Sequence, residues 1–200
     1  MMQELVKSIK KIAQETVENI HTAIPAIITS YDAASGLAVV QPKGKFKKPN
    51  GDKLDYPSVS GVPVLFPQSK NVTIAFPIKA GDNCLLVFGE QALDYWLYGK
   101  ETDTDLKFDL SNAMAIPNLA TTGNSAMQEA CDEDAVVLKS GETKLKVKGD
   151  GVYIKGNVKV TGKIEATDII KSDDDVTASG ISLTKHIHTG DSGGSTSSPH

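Results

Sequence analysis

The sequence predicts an all-β chain with a helix at its N-terminus, and three observations support this fold class. Residues 2–21 repeat apolar side chains at spacings of three and four, the period of an amphipathic helix. Residues 24–119 alternate short apolar runs with Gly, Pro, Asn and Asp turns, which is typical of strands. After residue 135 the apolar residues fall mostly in period-two pairs, and Tyr153 is the only aromatic residue left. The sequence therefore indicates a compact first part and an extended second part.

Composition argues against several classes of function. The chain has 200 residues and a net charge of −4, and all 21 of its basic residues are lysines. Arginine is the residue best suited to binding phosphate with two hydrogen bonds, so its absence disfavours nucleic-acid recognition. Cys84 and Cys131 have no close spacing and are predicted to be free thiols. Residues 1–20 show no signal peptide, which predicts a protein made in the cytoplasm of its host.

The N-terminal segment, residues 1–22, is predicted to be an amphipathic helix. Leu5, Ile9 and Ile12 form the centre of its apolar stripe, and Pro25 lies beyond its end. Two roles remain open for this stripe: it packs on the helix's own domain, or it docks on a neighbouring protein.

Residues 23–120 are predicted to form a small OB-like barrel, because five or six short strands fit into about 95 residues. Lysines around the turn at residues 49–52 could indicate nucleic acid, but a solvated hairpin is favoured because Phe46 is their only interleaved aromatic residue. The predicted strands are Ala26–Tyr31, Leu37–Pro42, Leu54–Ser60, Val62–Phe66, Val72–Phe76 and Cys84–Phe88.

A small, polar linker at residues 121–135 precedes the extended part, residues 136–185. Single β-branched residues alternate there with lysine, aspartate and glycine, as in Lys144–Lys148. A lone chain would expose a long apolar stripe and unpaired strand edges. Three chains wound around one axis would bury the stripe and pair the edges, which predicts an intertwined trimeric β-helix. A monomeric solenoid is the competing interpretation.

The chain ends in a predicted metal-binding tip, residues 186–200. His186 and His188 lie two residues apart, so in an extended strand both side chains project from one face. Two imidazoles are too few to hold a transition metal tightly, and the other histidines are His21 and His200. Three chains meeting on an axis would supply six imidazoles, a set suited to octahedral iron or nickel. An exposed His-x-His in a polar tail is the alternative.

Five segments of the chain are familiar in their order: Pro63–Gln68, Phe76–Phe88, Ala92–Trp96, Asp109–Pro117 and Ala178–Gly190. Within them, Gly81-Asp82 looks like the turn before a buried strand, and Leu93 and Trp96 look like the apolar plug that follows this strand. Together the segments resemble the central baseplate spike proteins of contractile-tailed phages and phage-tail-like bacteriocins, which are membrane-puncturing tips.

The resemblance implies a homotrimer in a virion or bacteriocin particle whose paired histidines from three chains hold one iron ion. It implies that the barrel and the N-terminal helix contact a baseplate hub protein and the tail tube. The tip would be driven through the envelope of the target cell, with no enzymatic activity and no nucleic-acid partner.

Two motifs suggest chemistry that their surroundings do not support. Gly190-Asp-Ser-Gly-Gly194 matches the nucleophile motif of serine proteases, but no histidine base has a matching setting, because His21 falls in the predicted helix. Asp173–Asp175, and separately Asp103 and Asp105, lack the register of a calcium loop and are predicted to be solvated turns. The chain is therefore not expected to be an enzyme.

Two other classes of function remain. An OB-fold module with a β-solenoid extension could bind single-stranded nucleic acid or carbohydrate, and it would be a monomer with measurable ligand affinity. A host-adhesion fibre would also be trimeric, but a receptor-binding head larger than fifteen residues would be expected at its end.

Overall fold

The computed structural model describes residues 2–18, 20–48, 51–100, 105–118, 120, 122–190 and 192–198. The chain divides into two units, Met1–Asn124 and Ser125–His200. Among the described residues, no helix combines the length and the apolar composition needed to cross a membrane.

The first unit is a helix followed by a curled half-barrel sheet, so the prediction of a mainly β chain with an N-terminal helix is confirmed. Its described elements are α1 (Met2–Glu18), β1 (Ala23–Asp32), β2 (Leu37–Pro42), β3 (Lys45–Lys47), β4 (Lys53–Asp55), β5 (Val59–Pro63), β6 (Asn83–Phe88), α2 (Asp94–Tyr98) and β7 (Ala113–Pro117). Five strands form the sheet in the order β5-β2-β1-β6-β7, with antiparallel neighbours. A parallel bridge from Val64 to Ala115 joins its two edges, and the Leu65 amide donates to the Ala115 carbonyl at 2.9 Å.

The core of the first unit lies on the concave side of this sheet. Buried residues alternate with more exposed ones along each strand, as the period of a strand requires. Ile28, Val40 and Leu86 are fully buried at its centre. Burial raises the pKa of the Cys84 thiol to about 11, so this cysteine packs as a small apolar residue and is unreactive.

Asn112 is the one buried polar residue among those described in the first unit, at 3% exposure. Its amide nitrogen donates to the carbonyls of Gly89, Gln91 and Leu106 at 2.7–3.1 Å. Its amide oxygen accepts the backbone N–H of Leu93 at 3.0 Å. One side chain thus connects the end of β6, the entry to α2 and the segment before β7.

Helix α1 is amphipathic, as predicted, but all of its described side chains are exposed. Ile9 and Ile12 remain 56% and 62% exposed. The apolar stripe therefore does not pack on the helix's own domain, which was the first of the two predicted roles. His21 lies after the helix and not within it, with its ring 5.6 Å from that of Tyr56 and 5.4 Å from that of Phe88.

Three other local predictions were wrong. Val72–Phe76 forms no strand, and Thr73 makes only an isolated bridge to Gln68. The predicted strand Leu54–Ser60 is divided between β4 and β5, and β7 went unpredicted. Trp96 is 61% exposed on the short helix α2, so it is not a plug of the barrel.

The second unit begins with a helix packed on a three-stranded antiparallel sheet. Its described elements are α3 (Ser125–Asp132), β8 (Val136–Ser140), β9 (Thr143–Lys148), β10 (Gly151–Lys155), β11 (Thr177–Ala178) and β12 (Ile181–Ser182). The sequence predicts a loop where α3 forms. Residues 156–176 contain no strand, so local antiparallel hairpins, and not a continuous run of strands, are what one chain forms from residues 136–185.

The sheet β8–β10 has one charged face and one apolar face. Leu138, Leu145 and Ile154 pair across the three strands as one apolar row. A second row consists of Val136, Val147 and Val152. Apart from the half-buried Leu145, these side chains are 40–63% exposed. We call these six residues the apolar face.

Helix α3 is held to the charged face by an ionic cluster. Glu129 contacts the ammonium groups of Lys144 and Lys146 at 2.5 and 3.2 Å. Glu133, just after the helix, contacts Lys146 and Lys148 at 2.7 and 3.2 Å. The lysine ammonium groups hold the pKa of both carboxyls below their ordinary value of 4.5.

Acid should release α3 from the sheet. Because the folded-state pKa of Glu129 and of Glu133 is lowered, their contribution to stability is complete above pH 4.5 and is lost as the pH falls through the lowered values. Hydrogen exchange, corrected for its intrinsic pH dependence, should show α3 amides losing protection below pH 4.5. A variant carrying Glu129→Gln and Glu133→Gln should lack this transition, and an unchanged transition in it would contradict the assignment.

Candidate metal centre

The segment before the histidine pair is a tight hairpin. Strands β11 and β12 pair with each other, so that Thr177 lies opposite Ser182 and Ala178 lies opposite Ile181. The two residues of their loop, Ser179 and Gly180, have φ of 51° and 81°. Positive φ at both positions is the signature of a type I′ turn, whose twist suits two antiparallel strands.

The carboxylate of Asp175 stabilises a turn that directly follows this hairpin. Its carboxylate accepts hydrogen bonds from the backbone N–H and the hydroxyl of Thr184 at 3.2 and 3.0 Å. Bonds from the Ser182 hydroxyl and from Thr184 hold the pKa of Asp175 below its ordinary value. The His186 amide closes the turn by donating to the Ser182 carbonyl at 3.1 Å. His186 therefore follows a turn, where the sequence predicted a strand.

The ring of His186 is oriented by the same turn. Its Nδ1 lies 2.8 Å from the Ser182 carbonyl oxygen and 3.2 Å from that of Leu183. Since a carbonyl only accepts, Nδ1 is the ring nitrogen that carries the proton, and Nε2 keeps its lone pair for a metal. A ring N–H donated to a backbone carbonyl is the usual support of a histidine that binds a metal.

The ring of His188 lies beside that of His186, with centroids 5.1 Å apart and planes at 88°. Its backbone N–H donates to the Thr196 hydroxyl at 2.9 Å, and the Thr196 N–H donates back to the His188 carbonyl at 2.8 Å. The chain thus folds back along His188. Gly190 and Gly194 close the return turn, which agrees with interpreting the Gly-Asp-Ser-Gly-Gly motif as a turn.

One chain offers two candidate ligands, His186 and His188, at this site. Over the described ranges, no three His, Cys, Asp or Glu side chains come close enough to hold a metal together. His21 packs among aromatic rings of the first unit. His200 and Asp103, which the sequence analysis also considered, lie outside the described residues, as does Asp191 of the Gly-Asp-Ser-Gly-Gly motif. The donor set fits a metal only if other chains complete it.

An apolar cleft of about 220 Å³ adjoins the His186 ring. Its walls come from Val176, Ala178, Ile181, Ser182, Leu183 and His186. Ile181 and Leu183 are 61% and 58% exposed, so the surface around the histidines is apolar and uncovered in one chain.

Sequence reasoning found the histidines but missed the residues that position them. Asp175 was predicted to be a solvated turn residue, yet it fixes the turn before His186. The signal was present, because a carboxylate followed at a distance by Ser-x-Thr can accept the donors of a turn, but only the hairpin brings these segments together. Asp105 is exposed and pairs with Lys107 at 3.4 Å, which agrees with its interpretation as a surface residue.

Asp175→Ala should weaken metal binding without removing a ligand. Loss of the bonds to Thr184 frees the turn that orients the His186 ring, and outer partners of a metal ligand typically change affinity by about tenfold or more. A chelator competition titration measures this. Asp173→Ala is the matched control, because its exposed carboxylate lies 3.5 Å from the Lys171 ammonium and away from Thr184, and equal affinities in the two variants would exclude a positioning role for Asp175.

A second concavity lies on the first unit. It measures about 410 Å³ and is lined by Gln41, Pro42, Lys43, Gly44, Lys45, Asp55 and Tyr56. Gln41 spans its base by donating to the Tyr56 carbonyl at 2.7 Å. Lys45 and Asp55 pair at its rim at 3.5 Å, so two of its charges are already neutralised.

Comparison with known proteins finds a similarity in the first unit. No curated protein matches the chain. Residues 24–118 match the family model described as the phage protein Gp138 N-terminal domain, and this match covers just under half of the 200 residues. It begins within β1 and ends just after β7, so it spans the whole curled sheet. Over these residues, the chain is similar to a phage protein domain.

Proposed function

We propose that the protein is the homotrimeric central spike of a contractile phage tail or phage-tail-like bacteriocin. Residues 23–120 form an OB-like collar, residues 136–185 an intertwined β-helix, and residues 186–200 a metal-capped tip. Contraction of the sheath drives this pre-folded needle through the target cell envelope. The protein acts mechanically and resides at the baseplate tip of the particle.

The observation that carries the proposal is the apolar face of β8–β10, in a chain whose first unit matches a phage domain. A chain rarely leaves two adjacent rows of apolar side chains uncovered, with five of the six exposed, unless a partner covers them. Helix α3 covers the other face of the same sheet. A neighbouring copy of the same segment is the partner whose chemistry matches, because it offers an identical β-branched and Leu-rich surface.

Three copies would also pair the strand edges that a single chain leaves open. Strands β8 and β10 are the edges of a three-stranded sheet and leave backbone donors and acceptors unpaired. Residues 156–176 add further exposed apolar side chains, such as Ile164 and Ile169 at 72% and 88%. Winding three such segments together would pair the edges and bury one apolar column, and the product would be stiff because its hydrogen bonds run between chains.

The topology of the first unit supports the collar. A five-stranded sheet that curls until its edge strands meet is what an OB-like barrel requires. The order β5-β2-β1-β6-β7 and the Val64–Ala115 bridge have this form. Contacts to the baseplate hub and the tail tube are assigned to this barrel and to the N-terminal helix.

The tip would hold one iron ion per trimer. Each chain offers Nε2 of His186 and the ring of His188, so three chains give six imidazole ligands, which suits an octahedral ion. Bound metal would fix three chain ends to one another. Because imidazole binds metal only when neutral, acid should weaken the site.

Two measurements on untagged protein test the proposal together. Light scattering should give three times the chain mass of 21.2 kDa. Elemental mass spectrometry should give one iron per three chains. A single-chain mass would overturn the spike, whereas a trimer containing another metal or none would overturn only the iron tip.

A ligand-binding barrel is the second candidate, favoured by the 410 Å³ concavity beside Tyr56. Lys43 and Lys45 could face an anionic or polar ligand there. This candidate predicts a monomer that binds single-stranded nucleic acid or an oligosaccharide. The arginine-free, acidic composition makes it the weaker of the two.

A further inference from the structure

Helix α1 presents an apolar seam with the spacing of a coiled coil. Apolar or small residues recur at alternating intervals of three and four, the a and d positions of a heptad. The positions are Met2, Leu5, Ile9, Ile12 and Thr16. Thr16 is the one polar member, and its hydroxyl already donates to the Ile12 carbonyl at 2.9 Å, which leaves its methyl group for packing.

Charged side chains avoid this seam. Val6 and Ala13 occupy the e positions beside it and widen the apolar surface. Lysines and glutamates lie on the remaining surface, where Lys11 and Glu15 pair at 3.7 Å along the helix. A partner on this seam must therefore be apolar along its whole length.

We infer that three α1 helices, one from each chain of the trimer, pack in parallel along this seam as a short three-stranded coiled coil. This inference rests on the trimer of the proposed function. A second copy is the occupant because the seam is self-complementary, with isoleucine at neighbouring a and d positions, Ile9 and Ile12. Isoleucine at both positions favours assemblies of three or more strands over dimers, and so do apolar e positions.

The length of α1 agrees with this role. Seventeen residues make about 25 Å of helix, little more than two heptads, which is marginal for a helix alone in water. Attachment to a trimer held elsewhere raises the effective concentration of the three helices to the millimolar range. The coiled coil would then present its charged outer surface, and not its apolar seam, to the tail.

Cysteine cross-linking of the full chain tests the arrangement. Cys131→Ser removes the exposed thiol, and Cys84 is buried. In this background, Leu5→Cys and Ile12→Cys place a thiol at d positions one heptad apart, where copies meet only if the helices are parallel and in register. Lys7→Cys, at the outer f position, is the matched control.

Under mild oxidation, both seam variants should form disulfide-linked pairs of chains, to an extent that does not fall on dilution, while the control stays unlinked. A trimer whose seam variants do not cross-link, or whose control cross-links equally, would overturn the coiled coil and leave the spike standing. A single-chain mass for the Cys131→Ser parent would overturn both.

Discussion

Leu138→Asp should convert the proposed trimer into single chains. Leu138 lies in the middle of β8 on the apolar face and is 61% exposed in one chain, so the aspartate does not disturb the fold of that chain. In the trimer, each copy would lose about 1.5–3 kcal/mol of burial and gain a buried, unpaired carboxylate. Light scattering at micromolar concentration should show the single-chain mass, with an unchanged far-ultraviolet circular dichroism spectrum of the hairpins.

Two further variants make this result specific. Val152→Asp, on β10 at the other edge of the same face, should dissociate the trimer in the same way. Lys155→Asp lies on the opposite face, where Lys155 forms only an exposed pair with Glu142 at 3.3 Å. It should leave the trimer intact. If the Leu138→Asp protein remained trimeric, the apolar face could not be the interface between the chains.

His186→Ala should abolish iron binding, and so should His188→Ala. Each substitution removes three of the six proposed imidazoles, and three ligands of one kind no longer enclose an octahedral ion. With free metal at about 100 times its dissociation constant, bound metal stabilises the folded trimer by about 2.7 kcal/mol, so thermal unfolding should begin earlier in both variants. Elemental analysis and calorimetry measure the two effects.

Lys185→Ala is the control for the histidine variants, because it alters an exposed neighbour in the same turn and should keep the full metal content. Both histidine variants should remain trimeric, since in the proposed trimer the apolar face and not the metal holds the chains together. Full iron content after either histidine change would place the metal elsewhere.

Local periodicity was sufficient to predict α1, β1, β2 and β6. Each of these elements carries its own pattern, a three-four spacing in α1 and buried side chains at every second position in β2 and β6. The pattern could not separate β4 from β5, because the bend between them, at Tyr56–Ser58, depends on Gln41 binding the Tyr56 carbonyl and the Ser58 hydroxyl. Such contacts across 15 to 17 residues leave no local signal.

The sequence did not predict helix α3, for a related reason. Its sequence is small and polar, and its ionic contacts with Lys144 and Lys146 tie it to a strand that lies more than ten residues further along. The candidate site shows the same division: the spacing of His186 and His188 predicted them as candidate ligands, whereas the contact of Asp175 with Thr184 could be seen only once the hairpin was known.

Asn112 restricts which sequences can keep this fold. The position requires a side chain that donates to three carbonyls and accepts from the Leu93 amide at the same time. Aspartate would set a carboxylate against carbonyl oxygens, and alanine would remove the Asn112 donor from the Gln91 and Leu106 carbonyls. Gly89 is constrained with it, since a Cβ there would lie 2.7 Å from the Asn112 amide nitrogen. Relatives that retain these loops should therefore vary freely at the exposed α2 aromatics while keeping this asparagine and glycine as a pair.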